Sequence, residues 1–132
     1  MKALIVYDSV YGNTEKIARA IAEAITPSGE VKVLRAGEAN PPELASIDLL
    51  IVGSPTQGGR PTPAIQDLLN KVPKLSLKGV NVAAFDTRIQ AKLAKVFGYA
   101  AGRIADHLKR QGGTLIASPE GFLVTGSKGP LK

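Results

Sequence analysis

The segment Ser9-Val10-Tyr11-Gly12-Asn13-Thr14 gathers two hydroxyls, a phenol and an amide around one glycine, directly ahead of an apolar helical repeat. The first amides of a helix lack intrahelical partners and carry the positive end of its dipole. Such a loop can therefore hold an anion without a formal cation. Gly12 permits the tight turn this requires. A simpler role is also open, with Asn13 or Thr14 serving only as an N-cap. Two further segments carry usable groups. Gly53-Ser54-Pro55-Thr56-Gln57-Gly58-Gly59-Arg60-Pro61-Thr62-Pro63 is rich in glycine, proline and hydroxyls, and Asp86-Thr87-Arg88-Ile89-Gln90 offers Thr87 and Arg88 as donors to carbonyl oxygens.

Several chemistries are excluded by residue type. The first loop lacks the Gly-Lys-Ser/Thr ending of a P-loop and the Gly-x-Gly-x-x-Gly dinucleotide fingerprint. A phosphorylatable receiver would need an acidic cluster after the first strand and an Asp after the third. Here Asp8 stands alone and Gly53-Ser54-Pro55 follows. With no cysteine there is no disulfide, thiolate metal site or redox dithiol, so redox chemistry requires a bound cofactor. His107, the only histidine, sits beside Asp106 on an expected helix far from the loops, where a surface position suits it better than catalysis.

The loops are spaced by elements that alternate. Ala3 to Tyr7 is a short apolar run typical of a strand buried on both faces, and Ile17, Ile21 and Ile25, with Ala18 and Ala22, make a helical face that stops before Pro27. Val31 to Leu34 and Leu49 to Val52 read as strands, separated by a Pro41-Pro42 segment with little room for a long helix. Thr62-Pro63 starts a helix whose buried side is Ile65, Leu68, Leu69 and Val72. Val80 to Phe85 reads as a fourth strand followed by a long loop. Phe97 to Gln111 is helical, with Phe97, Ala101, Ile104 and Leu108 on one side, and ends at Gly112-Gly113. Thr114 to Ala117 and Phe122 to Val124 form a broken fifth strand. Strand and helix units of this kind predict an α/β, doubly wound parallel sheet covered by helices on both faces. In such sheets ligands sit outside the carboxyl ends of the strands, where all three loops fall.

A chain of 132 residues fits one domain, residues 1–132. Its 17 basic and 11 acidic residues leave a formal charge of +6, unevenly placed. Residues 1 to 66 carry six basic against seven acidic groups, whereas residues 67 to 132 carry eleven against four, so the second half attracts acidic partners. Lys92, Lys95, Arg103, Lys109 and Arg110 suit either a solvated helix face or a docking patch. Nucleic-acid binding would want stacking aromatics, which are only 5% of the chain. No run approaches a membrane span, and the start MKALIVYDS lacks the pattern of a signal peptide, so a cytoplasmic location is expected. After the fifth strand, residues 127–132 are too few and too rich in Gly and Pro for a closing helix. Either another subunit covers that face or the chain continues past Lys132, and continuation is the expectation.

Taken together, the first two loops resemble those of the flavodoxins, whose phosphate loop reads Ser/Thr-x-Thr-Gly-x-Thr and whose later loop reads Gly-Ser-Pro-Thr-aromatic-Gly-Gly. The likeness spans essentially the whole chain. It implies a single-domain five-stranded parallel sheet in the order 2-1-3-4-5, lacking here the C-terminal helix. It further implies flavin mononucleotide (FMN) as cofactor, with its phosphate on Ser9, Val10, Tyr11, Gly12, Asn13 and Thr14. The ring would lie among Pro55, Thr56, Gln57, Gly58, Gly59, Thr87 and Arg88. The peptide at Gly58-Gly59 would flip on one-electron reduction, turning the Gly58 carbonyl towards flavin N5. The function implied is a one-electron carrier, rather than a stand-alone oxidoreductase, that serves redox partner proteins with acidic docking surfaces as a monomer or weak dimer, with no nucleic-acid or membrane partner. Two departures keep alternatives open. Tyr11 stands where the pattern has Thr, as in flavodoxin-like quinone reductases, which allows an NAD(P)H-dependent quinone or nitro reductase. Gln57 stands where an aromatic usually stacks, and the chain has no Trp, which allows a flavin-free interaction domain.

Overall fold

The structure, a computed structural model, describes residues 1–10, 12–57, 59–73, 76–89 and 99–124. The chain runs β1 (Lys2–Tyr7), α1 (Asn13–Ile25), β2 (Glu30–Arg35), α2 (Pro41–Ala45), β3 (Leu49–Pro55), α3 (Pro63–Lys71), β4 (Asn81–Ile89), α4 (Ala100–Arg110), β5 (Thr114–Leu115) and β6 (Glu120–Val124). All described pairings between strands are parallel, in the order β2-β1-β3-β4-β5, with β6 also on β4. The expected broken fifth strand is thus two pieces on one neighbour. Asn81 and Val82 pair with Thr114 and Leu115, while Phe85 to Ile89 pair with Glu120 to Val124.

Burial follows the periodicity. Leu4, Val6, Leu50 and Val52 point to one face, where they meet Leu44 of α2, Ile65, Leu68 and Leu69 of α3, and Ile104 and Leu108 of α4. Ala3, Ile5, Tyr7, Leu49 and Ile51 point to the other, where Ile17, Ala18, Ile21, Ala22 and Ile25 of α1 cover them. α2 has five residues, as the Pro41-Pro42 segment required. Helix ends also obey local chemistry. Pro63 opens α3 after Thr62, and α4 closes with Gly112 at φ 99° while the Gly112 and Gly113 amides donate to the Lys109 and Leu108 carbonyls, a Schellman motif. The beginning expected for this helix, Phe97, lies outside the described residues, as do Lys92 and Lys95.

Two strand ends differ from expectation. β3 continues three residues past Val52 to Pro55, and β4 continues four past Phe85 to Ile89. Gly53, Ser54 and Pro55 are paired with Phe85, Asp86 and Thr87, and β6 supports the far side of the same stretch. The cross-strand ladder satisfies backbone groups that a sequence of Gly, Ser, Pro, Asp and Thr would leave to a loop. Close approach is part of it, since a Cβ on Gly53 would stand 2.1 Å from the Phe85 ring.

Candidate functional site

Because β1 has β2 on one side and β3 on the other, the loops leaving β1 and β3 part from each other at the carboxyl edge and open a crevice. Asp8 lengthens the pairing by donating its amide to the Gly53 carbonyl at 3.1 Å. The loop then turns on side-chain contacts. The Ser9 amide donates to Asp8 Oδ1 at 2.9 Å and the Gly12 amide to Ser9 Oγ at 3.0 Å. Gly12 is the N-cap, at φ 93°, and it brings no side chain over the first turn of α1. The N-cap reading of Asn13 and Thr14 is therefore corrected: they are the first two helical residues, both buried. Val10 is exposed. Tyr11 lies outside the described residues.

Thr14 Oγ1 and Thr87 Oγ1 lie 3.0 Å apart and both side chains are buried, joining the first loop to β4. Two hydroxyls share one hydrogen bond, so one proton remains for a further acceptor. Thr87 and Arg88 were expected on a loop and are instead strand residues, held there by β3 and β6. This rigidifies what they offer. The Thr87 carbonyl accepts the Thr56 amide at 2.9 Å, and Thr56 Oγ1 accepts the Ala100 amide at 3.1 Å. Gln57 and Arg60 exchange backbone hydrogen bonds of 2.8 and 3.0 Å across the intervening glycines, with Gly59 at φ 79°. Gly58 lies outside the described residues. The Gly59 carbonyl accepts Arg103 Nε at 2.8 Å, and Gln57 is exposed.

Arg88 is not directed outward as a lone donor. Its Nε and one terminal nitrogen each meet a different oxygen of Asp86 at 2.7 Å, and the fully buried Asp86 also accepts the Ala101 amide at 2.8 Å. The guanidinium carbon lies 3.5 Å from the centre of the Tyr99 ring, and a Cβ on Gly121 would fall 2.1 Å from it on the other strand. Burial works against the Arg88 charge, but the Asp86 hydrogen bonds and charge outweigh it and raise its pKa above the ordinary value.

Sequence reasoning missed Asp86 as a hub, the contact of Arg88 with Tyr99, the hold of Arg103 on Gly59, and Arg35. For Arg35 a signal existed: parallel pairing of β1 and β2 sets it opposite Tyr7, at the base of the first loop. Its guanidinium donates to the Ser9 carbonyl at 3.2 Å and lies 3.6 Å from Asp8 and 3.9 Å from Glu15. His107 is half-buried on α4, and burial, then the Arg110 charge, lower its pKa. Among the described residues no helix is long and apolar enough to cross a membrane.

The family model for flavodoxin matches residues 5–129. A putative diflavin flavoprotein A 4 of Synechocystis is 35% identical over 74% of this chain, which spans only 15% of that relative's length. A solved flavodoxin from the domain Archaea superposes with a TM-score of 0.78 at 26% identity, covering 93% of this chain and 83% of its own. Oxidised flavodoxin 1 from Bacillus cereus shares the fold, with a TM-score of 0.81 at 21% identity over 96% of this chain and 86% of that one. With the sheet order, the crevice and both loops in place, the chain belongs to the flavodoxin family.

Proposed function

We propose that this chain holds FMN with its phosphate on the loop of Ser9, Val10, Gly12, Asn13 and Thr14 and its ring beside Pro55, Thr56, Gln57, Gly59 and the Thr87–Arg88 end of β4, and that it works as a one-electron carrier. Tyr11 and Gly58 complete the proposed contacts. One observation carries the reading: the buried Thr14–Thr87 hydroxyl pair stands beside a helix start whose cap is a bare glycine. The residues fit the group. A Cβ on Gly12 would meet no atom within 4 Å, so the space over the loop is open, and hydroxyls and first-turn amides face a dianion better than they face apolar surface.

FMN, when bound, supplies chemistry that no side chain here has, the uptake and release of single electrons. The chain's own part is to bind and orient. Main-chain donors and hydroxyls hold the phosphate, the ladder-locked ends of β3 and β4 set the walls, and the bridged Gln57–Arg60 turn limits water at the ring edge. The partners proposed are redox proteins with acidic surfaces, which the charge of the second half supports.

Calorimetric titration of the apoprotein with FMN and with riboflavin tests the site, since the two differ by the phosphate alone. FMN is expected to bind at least about 100-fold tighter, two charge-assisted hydrogen bonds' worth. Equal, weak binding of both would remove the assignment. Arg35 adds a second expectation. Asp8 and Glu15 would repel a phosphate, and Arg35 offsets them while fixing the Ser9 carbonyl. Arg35→Ala should weaken FMN about fivefold, less at high ionic strength, and leave riboflavin unchanged.

A further inference from the structure

A cleft of about 250 Å³ lies between α3 and α4, lined by Arg60, Gln66, Asn70, Arg103, Asp106, His107 and Arg110 among others. It adjoins a shallower hollow of about 430 Å³ that shares Asn70, His107 and Arg110 and ends at Gln111. Arg60, Arg103 and Arg110 thus outnumber Asp106, the one acidic residue of this lining, and Asp106 also has Lys109 at 3.9 Å. The cleft lies apart from the proposed phosphate loop but touches the proposed ring edge. Arg60 ends the Gln57–Arg60 bridge, and Arg103 holds the Gly59 carbonyl at 2.8 Å.

We propose that this cleft is the docking groove for an acidic, extended segment of a protein partner, bound through two carboxylates to Arg103 and Arg110. The inference rests on the carrier reading and adds to it where the partner sits. Spacing selects the occupant. Arg103 and Arg110 are two helical turns apart, about 10 Å along the axis. Carboxylates four residues apart on an extended chain share one face about 13 Å apart at the backbone, and their side chains bend inward to reach both, whereas a single phosphate reaches one. Docking here also places the partner one side chain from the turn at the ring edge. A carboxylate drawn to Arg103 meets the same guanidinium that fixes Gly59, so occupancy of the groove is felt in the turn.

The test is a nuclear magnetic resonance titration of the full chain, with and without FMN, using a hexapeptide that carries two glutamates four residues apart. The expected result is saturable shifts at His107 and at the Gly59 amide, weakening as ionic strength rises. Arg110→Glu should weaken the peptide at least about tenfold, as reversal of one charge-assisted contact implies. Arg19→Glu, the same charge change on α1, should alter it less than about twofold. In Arg103→Gln the Gly59 shift should vanish. The proposal is overturned by absence of these shifts, by equal losses from Arg19→Glu and Arg110→Glu, or by inorganic phosphate reproducing the shifts at the same affinity. Peptide binding in a chain that takes up no FMN would support the groove and remove the carrier reading alone.

Discussion

Thr14→Val is expected to lower FMN affinity by about 10- to 100-fold while leaving riboflavin affinity within about twofold. The substitution keeps the branched shape of a side chain that is only 1% exposed and removes a hydroxyl proposed to face the phosphate. Hydrogen bonds to charged groups contribute about 1.5–3 kcal/mol, which gives that range. The change has a second consequence, because Thr87 Oγ1 loses its partner at 3.0 Å and stays buried. The apoprotein should therefore lose about 1 kcal/mol of stability. A double replacement, Thr14→Val with Thr87→Val, separates the two effects. It removes the orphaned hydroxyl and should recover much of the stability, yet it cannot restore the donor to the phosphate. Denaturant unfolding and calorimetry on the three variants decide the matter. Wild-type FMN affinity in Thr14→Val would mean that the hydroxyl pair serves packing only.

The second large effect is on stability and falls at Asp86. Its carboxylate is fully buried and takes three donors, two from Arg88 and one from the Ala101 amide in the first turn of α4. Asp86→Ala strands the Arg88 guanidinium, whose side chain is 20% exposed, and also leaves a buried amide unpaired. Breaking a buried pair from one side costs about 3–5 kcal/mol. For a domain of this length that corresponds to a fall in Tm of roughly 11–18 °C. The partner change shows whether charge is the cause. Asp86→Leu combined with Arg88→Met removes both charges and should be markedly more stable than Asp86→Ala, because an apolar replacement carries no desolvation penalty. A Tm for Asp86→Ala within about 2 °C of wild type would show that this cluster does not join β4 to α4.

That cluster is also where local reading stopped. Asp86, Thr87 and Arg88 follow an apolar run and have loop-like residue types. Their strand conformation comes from neighbours far along the chain, Ser54 and Pro55 on one side and Gly121 to Leu123 on the other. The contact between Thr14 and Thr87 spans 73 positions, and no local pattern encodes it. Arg103 reads from sequence as one of a row of basic residues, and only the approach of α4 to the Gln57–Arg60 turn gives its Nε the Gly59 carbonyl.

What the chain declares on its own is whatever a few consecutive residues enforce. The four-residue apolar repeat of α1, the Thr62-Pro63 start of α3, the Gly112-Gly113 stop after α4 and the two-sided apolar runs of β1 and β3 were all legible, and their alternation dictated the doubly wound sheet. The carboxyl edge of the sheet as the ligand side followed, whereas the place of the crevice along it depends on the strand order. Tertiary structure alone decided how far β3 and β4 extend, which side chains meet at their ends, and that Arg35 closes the first loop from β2. Apolar burial leaves a period in the sequence because it repeats along an element. A polar contact at a strand end depends on register and length across the sheet, and a single Asp, Thr or Arg carries no period that announces its partner.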